Sequence, residues 1–160
     1  MNWEQLIAIA MLLAQAPEHG ETRGRPQQAR LRRAVSTAYY AVFHALAISN
    51  ADSMIGSSPY IRQSDEWART YRALDHRFAK DRFNAVAAMV AFPINLQDFG
   101  HTFIALQNQR HDADYNPHVT FLRSETVRVI ERTKTAADDL MTTDQRTRRA
   151  LATYVLFRPR

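Results

Sequence analysis

The sequence predicts an all-α protein, an up-and-down bundle of five to six helices. Three observations predict it. The 160 residues contain only 4 Gly and 6 Pro, too few turn formers for a sandwich or barrel of short strands. Apolar residues recur at helical spacing over long stretches. Helix-ending and helix-starting residues, Pro17, Ser64, Pro93 and Pro117 among them, punctuate those stretches.

The elements follow in order. Residues 2–16 form a first helix around the run Leu6 to Ala14, LIAIAMLLA. That run resembles the apolar part of a secretory signal, with Ala14-Gln15-Ala16 as a cleavage site. However, the start lacks basic residues, and Pro17 follows directly. It is too short to span a bilayer. It reads as a buried helix of an unexported, cytoplasmic protein. Residues 17–26, PEHGETRGRP, read as a loop. A second helix runs from about Gln27 to Asn50, basic in its first half and apolar on nearly every side after Ala38. Such a helix is central, or is shared with a second subunit. Residues 50–63 form a polar connection. Ser64 caps a helix with Asp65 and Glu66 in its first turn, and Trp67, Tyr71, Leu74 and Phe78 make one stripe. A short apolar stretch, Val86 to Phe92, stops at Pro93. The next helix begins near Ile94, carries Leu96, Phe99, Phe103 and Leu106, and ends before Pro117. Ser124 opens another, with Val127, Ile130, Ala137 and Met141 inward, and a last helix covers about 143–156. The reading is one domain over 1–160, with its core in about 3–141.

Composition narrows the chemistry. There is no Cys, which excludes disulfides, thiolate metal ligands and cysteine nucleophiles. The formal charge is +5, and Arg greatly outnumbers Lys. Guanidinium groups bind phosphate in a bidentate way, so a polyanion partner is one reading and a solvated basic face the other. Arg30, Arg32 and Arg33, with Arg23 and Arg25 before them, are candidates for a phosphate-binding rim. Arg146, Arg148 and Arg149 are candidates for another. No base-reading motif accompanies either set.

Arg110 stands out. It follows Phe103 and Leu106 on the same helical stripe, where an unpaired charge is costly to bury. Either it lines a cleft or interface, or Asp114, four residues on, pairs with it. His111 and His118 have imidazoles suited to proton transfer near neutral pH, whereas Tyr115, with a pKa of about 10, suits phosphate orientation or base stacking. His111, Asp114 and His118 have a spacing that invites a metal, but Pro117 interrupts the helix between them, and no metal or cofactor is expected. Tyr39, Tyr40, Phe43 and His44 form the densest aromatic cluster and read as core or dimer packing, with His44 a hydrogen-bonded structural histidine.

Certain of these residues also carry a resemblance. Ser36-Thr37-Ala38-Tyr39-Tyr40-Ala41, then Phe43-His44-Ala45, is similar to the second-helix signature of HEPN (higher eukaryotes and prokaryotes nucleotide-binding) domains. Ala73-Leu74-Asp75-His76 resembles part of their third helix, and Arg110-His111-Asp112-Ala113-Asp114-Tyr115 their later motif. The resemblance covers roughly residues 3–141. It implies a helical bundle that dimerises and serves a bacterial toxin–antitoxin or defence module. Active members are metal-independent endoribonucleases with Arg, four to six residues, then His. Others are non-catalytic partners of minimal nucleotidyltransferases. Arg110 fits the arginine and His111 the polar residue after it; Tyr115 stands where active members carry His. The expected functions are therefore an RNA-associated ribonuclease-like protein, a non-catalytic nucleotide- or RNA-binding partner of a nucleotidyltransferase, or a structural helical adaptor. The expected assembly is a homodimer off the membrane, with candidate site residues Arg110, His111, Asp114, Tyr115 and His118.

Overall fold

The structure, a computed structural model, describes residues 2–17 and 26–158. Most of the expected loop, including Arg23 and Arg25, lies outside these. Among the described residues the chain is all-α, with eight α-helices and one 3-10 turn: α1 (Trp3–Gln15), α2 (Pro26–Met54), the turn Ile61–Gln63, α3 (Asp65–Arg72), α4 (His76–Asn84), α5 (Val86–Met89), α6 (Ile94–Tyr115), α7 (Arg123–Thr142) and α8 (Gln145–Leu156). The bundle class agrees with the sequence. The helix number exceeds the five or six expected, because one expected helix is two and the Val86 segment forms its own short turn of helix.

Helix α2 is the centre, packing against α1, α3, α6, α7 and α8. Leu31, Ala34, Val35, Ala38, Tyr39, Val42 and Leu46 are all buried along it. The α6 stripe, Leu96, Phe99, Phe103 and Leu106, is buried as its spacing predicts, and Ile130 and Leu140 meet the core from α7. Buried Thr126 and Thr133 return their hydroxyls to the carbonyls of Leu122 and Val129 (2.9 and 2.7 Å), so neither is left unsatisfied. At Gly100 a Cβ would sit 2.8 Å from Cδ1 of Phe83, so α4 and α6 approach closely there.

Boundaries depart from the sequence reading at identifiable places. Helix α2 runs to Met54 rather than Asn50, because the polar residues beyond find partners. Ser53 bonds the Asn50 carbonyl at 3.1 Å, and buried Asp52 takes Arg62 and Trp67. The chain then turns at Gly56, whose φ of +140° favours glycine. Ser64 caps α3 as expected, its hydroxyl accepting from the Trp67 amide at 3.2 Å. The stripe Trp67 to Phe78 is not one helix. Asp75 accepts the Phe78 amide at 2.6 Å and starts α4 afresh, while Leu74 stays buried in the break. Helix α7 starts at Arg123 with Leu122 as its N-cap and no side-chain cap, so Ser124 sits inside its first turn.

The tightest polar anchor between distant segments is Arg32. Its guanidinium donates to the carbonyls of Asp112 (3.3 Å), Ala113 (3.0 Å), Asn116 (2.9 Å) and Val119 (2.5 Å). These close the end of α6 and the connection after it, where helix carbonyls lack partners of their own. Gln28 grips the same connection, donating to the Phe121 carbonyl (2.8 Å) and accepting its amide (3.0 Å). Arg32→Ala is expected to cost about 2–3 kcal/mol of stability, since hydrogen bonds to charged groups contribute about 1.5–3 kcal/mol each and four acceptors lose one donor. Urea unfolding checks it against Arg33→Ala, an exposed neighbour expected to shift stability by less than about 0.5 kcal/mol. Equal midpoints for the two variants would remove the anchoring role.

Candidate functional site

Four helices contribute to the cluster that contains Arg110. Helix α6 supplies Arg110 and Asp114, one turn apart and therefore on one face. That face meets α2 at Ser36, Tyr39 and Tyr40, because Arg32 holds the end of α6 one turn further along the same helix. Arg110 Nε lies 2.7 Å from Asp114 Oδ2, and the two side chains are 27% and 25% exposed. A partly exposed ion pair of this kind positions its members more than it stabilises the fold. The Ser36 hydroxyl lies at the edge of hydrogen-bonding distance from the same carboxylate oxygen, 3.5 Å. Arg110 Nη2 donates to the Tyr40 hydroxyl at 3.2 Å. The guanidinium carbon is 5.9 Å from the ring centre of Tyr39 and 5.6 Å from that of Tyr40, within cation–π range. No acceptor among the described residues takes Nη1.

The third element is α4. His76 begins that helix and places Nδ1 2.5 Å from the Tyr39 hydroxyl. Its ring stacks on Phe43 at 3.8 Å between centres and 14° between planes. The fourth is α3, which brings Tyr71 to His44, hydroxyl to Nδ1, at 2.5 Å. Helix α3 is itself fixed by Asp52, whose carboxylate accepts the Trp67 indole N–H (2.9 Å) and Arg62 Nε (3.0 Å). The result is a row of rings across the bundle: Trp67 on Tyr71, Tyr71 on His44, then Tyr40, Phe43, His76 and Tyr39.

Burial sets the protonation states. Tyr39 is fully buried, and desolvation raises its phenol well above the usual value, against a smaller opposing pull from Arg110. Partial desolvation of the rings by their packed neighbours pushes both His44 and His76 below the ordinary imidazole value, although His76 keeps an exposed edge. At His76 the Arg110 charge adds to burial, and Asp75 opposes it. Near neutral pH, then, the His44 and His76 imidazoles are neutral and the Tyr39 phenol is protonated.

The predicted site residues divide. Arg110 and Asp114 pair with each other as their spacing allows. Tyr39 and Tyr40 lie against Arg110, and Phe43 and His44 continue the aromatic row, with His44 hydrogen-bonded to Tyr71. His111 and Tyr115 occupy the neighbouring face of α6; Tyr115 is 66% exposed, and the two rings meet each other at 5.2 Å. His118 lies exposed in the turn after α6, its amide on Asn116 Oδ1 at 3.1 Å. Arg32 does not join a phosphate-binding rim: backbone carbonyls occupy its guanidinium. Arg33 stays exposed and Arg30 half-exposed. In the other basic set Arg149 Nε bonds the Ser53 carbonyl at 2.8 Å, and Arg146 is exposed. His76 is the site residue that the chemical reading of the sequence passed over, since its partners lie 37 and 34 positions away along the chain. The signal present was its place in Ala73-Leu74-Asp75-His76.

Two cavities of about 530 and 580 Å³ lie elsewhere, the first against Trp3, Arg62 and Asp138, the second against His101, Arg128 and Asp139. Comparison with protein-family models, with curated proteins and with solved structures finds no match to this chain.

The lowered imidazole values make a pH prediction. In the unfolded chain these histidines titrate near about 6.5; in the fold they titrate lower. Their contribution to stability is therefore complete above about 6.5 and is lost as pH falls from there toward the folded value. Between pH 7.5 and 5.5 the urea midpoint is expected to fall, and to fall less in a His44→Gln, His76→Gln double variant. Parallel pH profiles in the two proteins would contradict it.

Proposed function

We propose that the protein is an RNA-binding helical domain of the HEPN type, seating the phosphate backbone of a single strand against Arg110. One observation carries the reading. Arg110, its side chain about a quarter exposed, is held by an ion pair with Asp114 and a hydrogen bond to Tyr40, with Nη1 left without a protein acceptor among the described residues. A guanidinium oriented by two partners, with an edge unspent, suits a phosphate oxygen. The net basic charge supports the reading by drawing a polyanion in. The resemblance of the α2 and α6 motifs to HEPN domains supplies RNA as the polyanion, and a toxin–antitoxin or defence module as the setting.

The geometry favours binding over cleavage. Transesterification needs a base for the 2′-hydroxyl near the cation that stabilises the phosphorane. His111 lies on another face of α6, and its ring partner is Tyr115. His76, whose partner Tyr39 also lies under Arg110, has Nδ1 committed to that tyrosine. The non-catalytic partner of a nucleotidyltransferase is thus the better-supported of the HEPN roles. Association as a homodimer is part of the same proposal; α5 and the start of α6 leave Val86, Val90 and Ile94 exposed, apolar surface of the kind a second copy covers.

Fluorescence anisotropy with a labelled single-stranded RNA tests the reading. Affinity is expected to fall as salt rises. Arg110→Ala is expected to weaken binding about tenfold or more and to flatten the salt slope by about one contact. Asp114→Asn, which lifts the competing carboxylate charge, is expected to tighten it. Absence of binding at low salt, or indifference to Arg110→Ala, overturns the proposal.

A further inference from the structure

We infer that His76 and Arg110 form one anion site for a phosphodiester, in which His76 donates from Nε2 because Tyr39 occupies Nδ1. The inference rests on the RNA-binding reading for its ligand and on separate geometry for its form.

The argument begins at the Tyr39 hydroxyl. Tyr39 is fully buried, and His76 Nδ1, 2.5 Å away, is its hydrogen-bond partner. A phenol in this position remains protonated, since burial disfavours the phenolate. Its proton needs an acceptor. If Nδ1 carried a proton and donated instead, the phenol hydrogen would be buried with nothing to receive it, which is costly. The pair therefore resolves one way: Tyr39 donates, Nδ1 accepts, and the ring proton of the neutral imidazole sits on Nε2.

The ring has little freedom to turn. One face lies on Phe43 at 3.8 Å, Nδ1 is bonded to Tyr39, and the backbone beneath the ring is held by Gln107, whose side chain donates to the His76 carbonyl at 3.2 Å. Asp75, the nearest acid in the chain, is committed to capping α4 through the Phe78 amide. Nε2 lies across the ring from Nδ1, His76 is an exposed residue, and no acceptor among the described residues takes this N–H. Arg110 lies over the same Tyr39 ring, 5.9 Å from its centre. One buried tyrosine thus orients a neutral donor from α4 and sits beneath a cation from α6. A phosphodiester monoanion suits this set: its single charge meets Arg110, and a second non-bridging oxygen takes the imidazole N–H. The Tyr71–His44 pair repeats the hydroxyl-to-Nδ1 contact and serves as an internal reference for the tautomer.

Side-chain nitrogen NMR on the intact protein, followed by titration with dimethyl phosphate and then with a single-stranded RNA, tests the inference. At pH 7.5 His76 is expected in the Nε2–H tautomer, with its Nε2 resonance shifting as dimethyl phosphate is added. The shift should be absent in Arg110→Ala. Tyr39→Phe, which keeps the packing but removes the donor, should release a mixture of tautomers. In RNA binding, His76→Ala is expected to weaken affinity about tenfold, the loss of one hydrogen bond to a charged group. His76→Gln, whose amide nitrogen reaches the same place, should restore most of it. An Nδ1–H tautomer, an unmoved Nε2, or wild-type RNA affinity in His76→Ala overturns the inference while leaving the Arg110 reading intact. A dimethyl phosphate shift without RNA binding does the reverse: the anion site stands and the RNA reading falls.

Discussion

The site depends on how Arg32 closes the end of α6. A helix ends with carbonyls that point at nothing, and they carry the negative end of its dipole. Arg32 reaches across from α2 and takes carbonyls from the last turn of α6 and from the connection beyond it. Desolvating a guanidinium is offset here by several acceptors in the right plane. The geometric effect is larger than the local one. Ser36, Tyr39 and Tyr40 follow Arg32 along α2, and Arg110 and Asp114 lie just before the capped end of α6. Fixing one contact fixes the register of both helices where the functional residues meet.

Within that register, polarity is balanced by pairs. Arg110 has Asp114, Tyr39 has His76, Tyr71 has His44, and Asp52 has Arg62 and Trp67. All but the first, which lies within α6, join segments that the apolar core brings together without specifying how they rotate. The aromatic row illustrates the division. Burial and stacking hold the rings, while the hydroxyl–imidazole bonds set which edge of each ring faces outward. The cost is a set of imidazoles that favour neutrality; the gain is a defined donor at a partly exposed position.

Much of this was legible in the sequence and some was not, for physical reasons. Ser64, the α6 stripe and Pro117 act locally, so their consequences can be read locally. Arg110 could be singled out because a charge on an apolar stripe needs a partner, and Asp114 was within one turn. The break at Leu74 was hidden because Leu74 stays buried and the apolar spacing runs straight through it; Asp75 decides the matter by capping α4. The end of α2 was misplaced because Asp52 is satisfied by residues ten and fifteen positions later. Arg32 read as one of a basic group because its acceptors are carbonyls more than 80 residues away or nearly so, and backbone acceptors leave no trace in a sequence. His76 escaped for the same reason: its importance lies in what α2 and α6 bring to it.

The continuity of α2 has a mechanical meaning. Its 29 residues form a rod roughly 40 Å long at 1.5 Å per residue. Five other helices pack along it, and α4 reaches it through His76. The molecule is thus built as spokes on an axle rather than as stacked repeats. Fraying one spoke strips part of the axle's apolar surface, and bending the axle loosens every spoke together.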